Sequence, residues 1–230
     1  MKMKIINKFV RRFSADARAK RANIFRSHFQ IDGNTRILDL GSEDGSNIFS
    51  VLQNTNFDAG NVFIADIEAE LVNVGNKRYG FTPVVANESG ILPFSDNYFD
   101  IVYCSSVIEH VTVAKSDLWE WKDGAKFKAS SWERQREFAN EIIRLGKRYF
   151  VQTPDKYFPI ESHTWLPLIG YLPRSVFLPI LSVTNQLWVK AADPDFSLLS
   201  QSEMKTLFPD AEILLEKTIG LTKSIMAIKK

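Results

Sequence analysis

Cysteine is almost absent from the sequence, since Cys104 is the only one among 230 residues. A single thiol excludes a disulfide within the chain, which fits a reducing compartment. Long hydrophobic runs are also missing, because no stretch approaches the roughly 20 apolar residues of a membrane-spanning helix. The first residues lack the apolar core of a secretory signal. We therefore expect a cytoplasmic protein without a transmembrane helix, and a peripheral contact at the inner membrane face stays open.

Net charge is small but unevenly distributed. The chain carries 29 Lys and Arg against 27 Asp and Glu, a formal charge of +2. Residues 1–29 hold nine of the basic residues and one acid. We interpret residues 1–30 as an N-terminal helical segment with a solvated basic face. The alternative is a surface for phosphates, RNA or anionic lipid.

From Ile37 onward, β-type runs alternate with helical patterns. This alternation is typical of a parallel sheet with crossover helices. Five strands are predicted at residues 36–41, 61–66, 82–87, 99–106 and 147–153, and two more flank Gly220. We predict an α/β fold in one domain of residues 1–230, with a Rossmann-like, seven-stranded, mostly parallel sheet and helices on both faces.

Two segments interrupt the alternation. Residues 114–131 resemble an insertion before a long helix. Residues 154–194 hold six of the nine prolines together with many aromatic residues. We expect residues 154–195 to form a Pro- and aromatic-rich cap of short helices, inserted after the fifth strand, because proline interrupts longer helices. Such a cap can bind substrate, lie on a membrane or form a dimer contact.

The sequence ILDLGSEDGS, at residues 37–46, predicts a nucleotide site. Gly41 and Gly45 allow the backbone to approach a ligand, and the helix that follows offers free N–H groups. Asp66 ends the second predicted strand, where a carboxylate can accept hydrogen bonds from both hydroxyls of a ribose. Together these features indicate an adenosyl nucleotide.

The spacing of the glycines argues against a dinucleotide. It does not match G-x-G-x-x-G, and Glu43 and Asp44 would repel a pyrophosphate. An ammonium or sulfonium group would be attracted instead. Asp39, inside the same motif, is suited to hold a cofactor amino group.

The chain resembles the class I S-adenosylmethionine-dependent methyltransferases. Asp39, Gly41 and Gly45 match the first motif of that family, with Glu43 in place of its middle glycine. The sequence ILPFSDNYFDIVYCSSVIEHV, at residues 91–111, is similar to the LPF…FD.V signature of the small-molecule branch. The resemblance covers about residues 35–113, 131–153 and 200–230.

The resemblance implies S-adenosyl-L-methionine as the cofactor. The implied cofactor-binding residues are Asp39, Gly41, Ser42, Gly45, Asp66, Ile67, Asn87, Glu88 and Ser105. In the family, the first-motif residues line the methionine end, and the acid after the second strand binds the ribose. Ile67 would flank the adenine, Asn87 or Glu88 would contact it, and Ser105 would border the transferred methyl group.

Three residues are predicted to be catalytic: Glu109, His110 and His163. Methyl transfer from a sulfonium is an in-line displacement, so a base is needed only when the acceptor loses a proton. His110 follows the fourth strand directly after Glu109, and His163 lies in the Pro-rich segment near Glu161, so either imidazole is a candidate base. Each also has a structural interpretation, as a packing residue or as a loop histidine satisfied by Glu161. The sequence EHV at residues 109–111 is similar to that of the ubiquinone-type O-methyltransferases, in which a further nearby acid helps to hold a metal. Ser106 stands at the corresponding position, so this resemblance implies no metal.

We therefore expect a methyltransferase that modifies an oxygen of a small-molecule, glycan or lipid-linked acceptor. The first alternative is RNA methylation by way of the basic N-terminal helix. The sequence has no recognisable RNA-binding module, so nucleic acid is not the expected partner. The second alternative is a non-catalytic binding protein, suggested by Glu43. The sequence does not predict the oligomeric state.

Overall fold

The computed structural model describes residues 2–87, 90–188 and 190–230, with the side chains of the first helix from residue 15 onward. The chain forms two compact units. The first unit runs to Cys104 and includes Arg144–Phe150 and Lys230. The second unit consists of Ser105–Ile143 and Val151–Lys229.

Helices and strands alternate through most of the described chain. The α-helices are α1 (Lys2–His28), α2 (Ser46–Leu52), α3 (Ala69–Tyr79), α4 (Gly124–Leu145), α5 (Arg174–Leu187) and α6 (Gln201–Leu207). The strands are β1 (Ile37–Leu40), β2 (Val62–Asp66), β3 (Thr82–Val85), β4 (Phe99–Ser105), β5 (Gly146–Pro154), β6 (Glu212–Thr218) and β7 (Leu221–Lys229). None of the described helices is long and apolar enough to cross a membrane.

The strands form one seven-stranded sheet in the order β3-β2-β1-β4-β5-β7-β6. β1 pairs in parallel with both β2 and β4, so that Asp39 lies opposite Ile64 on one side and Tyr103 on the other. β6 and β7 are antiparallel. The predicted fold class is confirmed. The strand order reverses between β1 and β4, and in such sheets ligands bind beyond the carboxyl ends of the strands at that point.

The last turns of α1 belong to the core of the first unit. The Phe25 side chain is fully buried and packs edge-to-face against Tyr103 and Phe150, with ring centroids 5.3 and 5.6 Å away. Arg18 and Lys20 lie on the exposed side of the same helix. Burial of the aromatic ring therefore anchors the helix, and its basic residues face solvent there.

Helix α5 corrects the expectation that prolines break the cap into short helices. It runs for 14 residues with Pro179 inside it. A proline within a helix removes a backbone hydrogen bond and costs about 3 kcal/mol. Burial of Phe177, Leu178 and Leu181 in a cluster with Phe196 offsets this cost. The opposite side of α5 carries an exposed apolar stripe formed by Val176, Ile180, Val183 and Leu187.

Side-chain caps decide where two of the helices begin. Helix α4 begins inside the segment that we interpreted as an insertion, because the carboxylate of Asp123 accepts hydrogen bonds from the N–H groups of Ala125 and Lys126. Of the two serines that are suited to cap α6, Ser200 and Ser202, Ser200 is the N-cap. Its hydroxyl accepts from the N–H of Glu203, whose carboxylate accepts from the N–H of Ser200 in return.

Candidate active site

The loop between β1 and α2 is fixed against β2. Gly41 and Gly45 have φ angles of +77° and +72°, a region that favours glycine. The N–H groups of Gly41 and Ser42 both donate to the carbonyl oxygen of Ala65, at 2.8 and 3.1 Å. These bonds hold the loop beside the carboxyl end of β2.

Gly75 supports this loop from α3, and sequence reasoning missed it. A Cβ atom at Gly75 would lie 2.5 Å from Cδ1 of Ile64 and 2.7 Å from the carbonyl oxygen of Asp44. Only a glycine lets the helix approach so closely. The available signal was a glycine inside a helical pattern, where it costs up to about 1 kcal/mol and therefore needs a packing reason.

The carboxylate of Asp66 is oriented by the backbone. Its Oδ2 accepts a hydrogen bond from the N–H of Glu43 at 2.9 Å, and its Oδ1 accepts from the N–H of Glu68 at 3.1 Å. Each carboxylate oxygen has a second lone pair. The residue can therefore accept the two hydroxyls of a ribose without losing the bonds that position it.

Asp39 is a buried carboxyl group next to this site. Its side chain accepts a 2.6 Å hydrogen bond from the hydroxyl of Ser42. Burial raises the pKa of Asp39 to about 7, and the nearby charges of Asp66 and Glu43 act in the same direction. A cationic ligand would relieve this cost, because it favours the ionised carboxylate. The amino group of S-adenosylmethionine fits this requirement.

Glu43 occupies a glycine-like backbone conformation. Its φ is +52°, although a side chain there costs about 1–2 kcal/mol. The loop therefore has a glycine-like backbone at this position and carries a carboxylate there.

Apolar side chains lie exposed after β2 and at the end of β3. Ile67 is 57% exposed and Val85 is 56% exposed. The N–H of Ala86 donates to the carbonyl of Asp66, which ties the two strand ends together. Asn87 follows directly, and Glu88 lies outside the described residues. The predicted adenine contacts Ile67 and Asn87 thus lie on adjoining segments of the first unit.

Ser105, the last residue of β4, begins the second unit. Its hydroxyl donates to Oε1 of Gln152 at 2.7 Å, and the hydroxyl of Ser106 contacts the same oxygen at 3.2 Å. Nε2 of Gln152 donates to the hydroxyl of Ser224. Gln152, which the sequence did not single out, therefore orients both serines.

The three predicted catalytic residues lie together in the second unit, in an acid–histidine cluster of Glu109, His110, Glu161, His163 and Asp195. Nδ1 of His163 lies 2.6 Å from Oε1 of Glu161. Nδ1 of His110 lies 3.1 Å from Oδ1 of Asp195. The two imidazole rings meet edge-to-face with centroids 4.6 Å apart. Asp195 was not predicted, since nothing near it in the sequence suggests its partner.

Glu109 is held rigidly at the centre of the cluster. Its side chain is fully buried, and Oε2 accepts a 2.9 Å hydrogen bond from the hydroxyl of Thr153. Its carbonyl oxygen accepts from the N–H of Ser197 at 2.7 Å. Oε1 lies 3.8 Å from Nε2 of His163, beyond hydrogen-bond reach, so that contact is electrostatic.

The carboxylates strongly affect His163. Burial alone would lower its pKa, but Glu109 and Glu161 outweigh burial and raise the pKa of His163 to about 9. Burial alone would raise the pKa of Asp195, but His110 and His163 hold it below its usual value. The carboxylates of Glu109 and Glu161 therefore favour the protonated form of His163.

Four buried side-chain atoms in the described part of the chain have no hydrogen-bond partner: Oε1 of Glu109, Nδ1 of His110, Oε1 of Gln135 and Oγ of Ser197. They belong to one neighbourhood, because Nε2 of Gln135 donates to the carbonyl oxygens of Ile108 and Ser197. Buried polar atoms are rarely left unpaired. Their concentration makes this neighbourhood a candidate ligand site.

Comparison with known proteins gives a consistent result. Residues 38–122 match the family model described as a methyltransferase domain. Over 83 residues the chain is 35% identical to the ubiquinone/menaquinone biosynthesis C-methyltransferase UbiE of Vibrio cholerae, covering 34% of this chain and 32% of that protein. The chain therefore spans about a third of the length of the curated relatives that it matches.

Solved structures share the fold at low sequence identity. A SAM-dependent methyltransferase from Methanosarcina mazei superposes with a TM-score of 0.54 at 13% identity, covering 89% of this chain and 94% of that one. Geranyl diphosphate C-methyltransferase from Streptomyces coelicolor A3(2) gives a TM-score of 0.50 at 12% identity, covering 86% and 62%. These likenesses concern the fold.

Proposed function

We propose that the chain is a class I S-adenosylmethionine-dependent methyltransferase and that it methylates a hydroxyl oxygen of a small-molecule, glycan or lipid-linked acceptor. The match of residues 38–122 to a methyltransferase domain and the fold shared with solved methyltransferases support the first part. In this reaction an O–C bond forms as the S–C bond of the sulfonium breaks. The products are the methyl ether, S-adenosylhomocysteine and one proton. The proposal assigns cofactor binding to residues of the first unit and acceptor activation to the acid–histidine cluster.

S-adenosylmethionine supplies an electrophilic methyl group when it is bound. Asp39 binds the amino group of the cofactor, because its buried carboxylate favours a cation. Asp66 accepts the ribose hydroxyls with lone pairs that its backbone bonds leave available. Ile67 and Val85 offer apolar contacts to the adenine.

The acid–histidine cluster is the observation that carries the choice of a hydroxyl acceptor. A hydroxyl loses its proton during methylation, whereas thioethers and tertiary amines have none to lose. Among the described residues, Glu109, His110 and His163 each place one nitrogen or carboxylate oxygen within 4.8 Å of the others, close enough for the three to contact one ligand. Such a group can bind the hydroxyl and remove its proton.

The experiment is a screen of hydroxyl acceptors with isotope-labelled cofactor. Asp66→Ala is expected to lose cofactor binding and turnover. His163→Ala is expected to lose turnover while retaining cofactor binding, which calorimetry measures. His28→Ala is the control, since that histidine hydrogen-bonds to Ser27 and Ile24 of its own helix turn. Absence of cofactor binding by the unmodified protein would refute the proposal.

Methylation of carbon is the second candidate, because the Vibrio relatives are described as C-methyltransferases. A carbon next to a phenolate also requires loss of a proton. NMR of the labelled product distinguishes the two, since an O-methyl carbon and a C-methyl carbon have separate chemical shifts. A C-methyl product would overturn the proposal that oxygen is methylated, and the assignment of S-adenosylmethionine as the methyl donor would stand.

A further inference from the structure

The acid–histidine cluster contains more negative than positive groups. Three carboxylates, those of Glu109, Glu161 and Asp195, surround two imidazoles, and Glu109 and Glu161 are almost fully buried. A buried carboxylate is costly unless a cation or hydrogen-bond donors satisfy it. Oε1 of Glu109 is buried from solvent and has no hydrogen-bond donor among the described residues. The cluster therefore favours an additional positive charge.

His163 is oriented as imidazole ligands of metals usually are. Its Nδ1 lies 2.6 Å from Oε1 of Glu161, within hydrogen-bond reach, whereas Nδ1 of His110 lies 3.1 Å from Oδ1 of Asp195 in a charge contact without hydrogen-bond geometry. A carboxylate at Nδ1 favours the tautomer whose Nε2 is basic, and such pairs are common around protein-bound metals. Nε2 of His163 faces Oε1 of Glu109 at 3.8 Å. This separation is too long for a hydrogen bond and suits two ligands of one cation at about 2.0–2.2 Å from each.

We propose that Glu109, His110 and His163 bind one divalent transition-metal cation. Ligand atoms of the three residues all lie within 4.8 Å of one another. Two imidazoles and one carboxylate suit Zn²⁺, Mn²⁺ or Fe²⁺ better than Mg²⁺ or Ca²⁺, which prefer oxygen ligands. The sequence predicted no metal because Ser106 is not acidic. It could not show that His163, far along the chain, lies beside Glu109 and His110.

The cation would act on the acceptor. An oxygen bound to a divalent cation loses its proton more readily, as metal-bound water does. The hydroxyl proton would leave to solvent, and the resulting oxygen would attack the methyl group. This role rests on the proposed function, whereas binding of the cation does not.

The test is titration of the full-length, untagged, chelator-treated protein with Zn²⁺ by calorimetry and with Co²⁺ by visible absorption. We expect one site per chain in the wild type and in His28→Ala, and no detectable binding in Glu109→Gln or His163→Ala. Asp195→Asn, which removes the negative charge beside Nδ1 of His110, is expected to weaken binding about 10- to 100-fold. Circular dichroism and cofactor binding establish that each variant is folded.

Each result decides between the two proposals. Binding by Glu109→Gln and His163→Ala as tight as in the wild type, or no binding by the wild type, would overturn the metal site. If the wild type also turned over a hydroxyl acceptor in the presence of a chelator, the proposed function would stand without the cation. Cation binding at these residues with no turnover of any hydroxyl acceptor would support the metal site and overturn the proposed function.

Discussion

Asp39→Asn should stabilise the folded protein at alkaline pH while it abolishes cofactor binding. The folded protein raises the pKa of Asp39 from its usual 3.8 to about 7 because the carboxyl is buried. The folded state therefore holds this proton more tightly than the unfolded state does. Between these two pKa values the free energy of unfolding falls as pH rises, and Asn has no such dependence.

The magnitude follows from the two pKa values. Between about pH 4 and pH 7, the free energy of unfolding of the wild type falls by about 1.4 kcal/mol for each pH unit. The total loss above pH 7 is about 4 kcal/mol. Asn keeps an acceptor for the hydroxyl of Ser42 but adds buried N–H groups, which costs about 1–3 kcal/mol. The difference in free energy of unfolding between variant and wild type should shift in favour of the variant by up to about 3 kcal/mol from pH 4.5 to pH 8.

Urea denaturation monitored by tryptophan fluorescence at both pH values measures this difference. Asp96→Asn is the matched control, since the Asp96 side chain is 74% exposed and its replacement should change stability by about 0.5 kcal/mol or less at either pH. S-adenosylmethionine should raise the melting temperature of the wild type at pH 8 and leave that of Asp39→Asn unchanged. A stability difference between Asp39→Asn and wild type that is the same at both pH values would refute the reasoning.

Three further predictions concern other parts of the chain. Glu43→Gly should be more stable than Glu43→Ala by about 1 kcal/mol in denaturation, because only glycine relieves the positive φ; equal stability would contradict this. Gly75→Ala should destabilise the folded protein by about 1–3 kcal/mol and weaken cofactor binding. Gly33→Ala should do neither, because the nearest atom to its added Cβ is 3.9 Å away. A Gly75→Ala protein with unchanged stability would contradict the close packing. The expected peripheral membrane contact predicts that Leu187→Asp, at a side chain 78% exposed, abolishes sedimentation with anionic vesicles without changing the melting temperature. Equal sedimentation of wild type and variant, or none by the wild type, would contradict that contact.

Local patterns predicted the loop after β1 and the end of β2, because the signals for these elements are close together in sequence. Gly41, Gly45 and Asp66 follow predicted strands, and the rule that ligands bind at strand ends applies to each of them directly. The N-cap at Ser200 is likewise a property of four consecutive residues. In each case the residue type and its immediate neighbours contain the information.

The acid–histidine cluster is different, because it depends on contacts between residues that lie far apart in the chain. Glu109 and His110 were identified as a pair, and His163 was identified by its chemistry alone. Asp195 had no local signal. The helix through Pro179 was not predicted because the burial that offsets its cost is a tertiary effect. Physical reasoning from the sequence identified most of the titratable groups, but the structure was required to show which acids lie against which histidines.

The hydrogen bonds of Glu109 determine which segments of the second unit unfold together. Its side chain bonds to Thr153, its carbonyl bonds to Ser197, and Gln135 joins the carbonyls of Ile108 and Ser197. Segments near residues 109, 153 and 197 therefore detach from one another only if the cluster itself comes apart, so the three behave as one cooperative unit. A ligand bound at Glu109 would slow amide hydrogen exchange at Ser197 as much as at Glu109 itself. The protection pattern would then report occupancy of the site from Ser197, which is not one of the three proposed metal ligands.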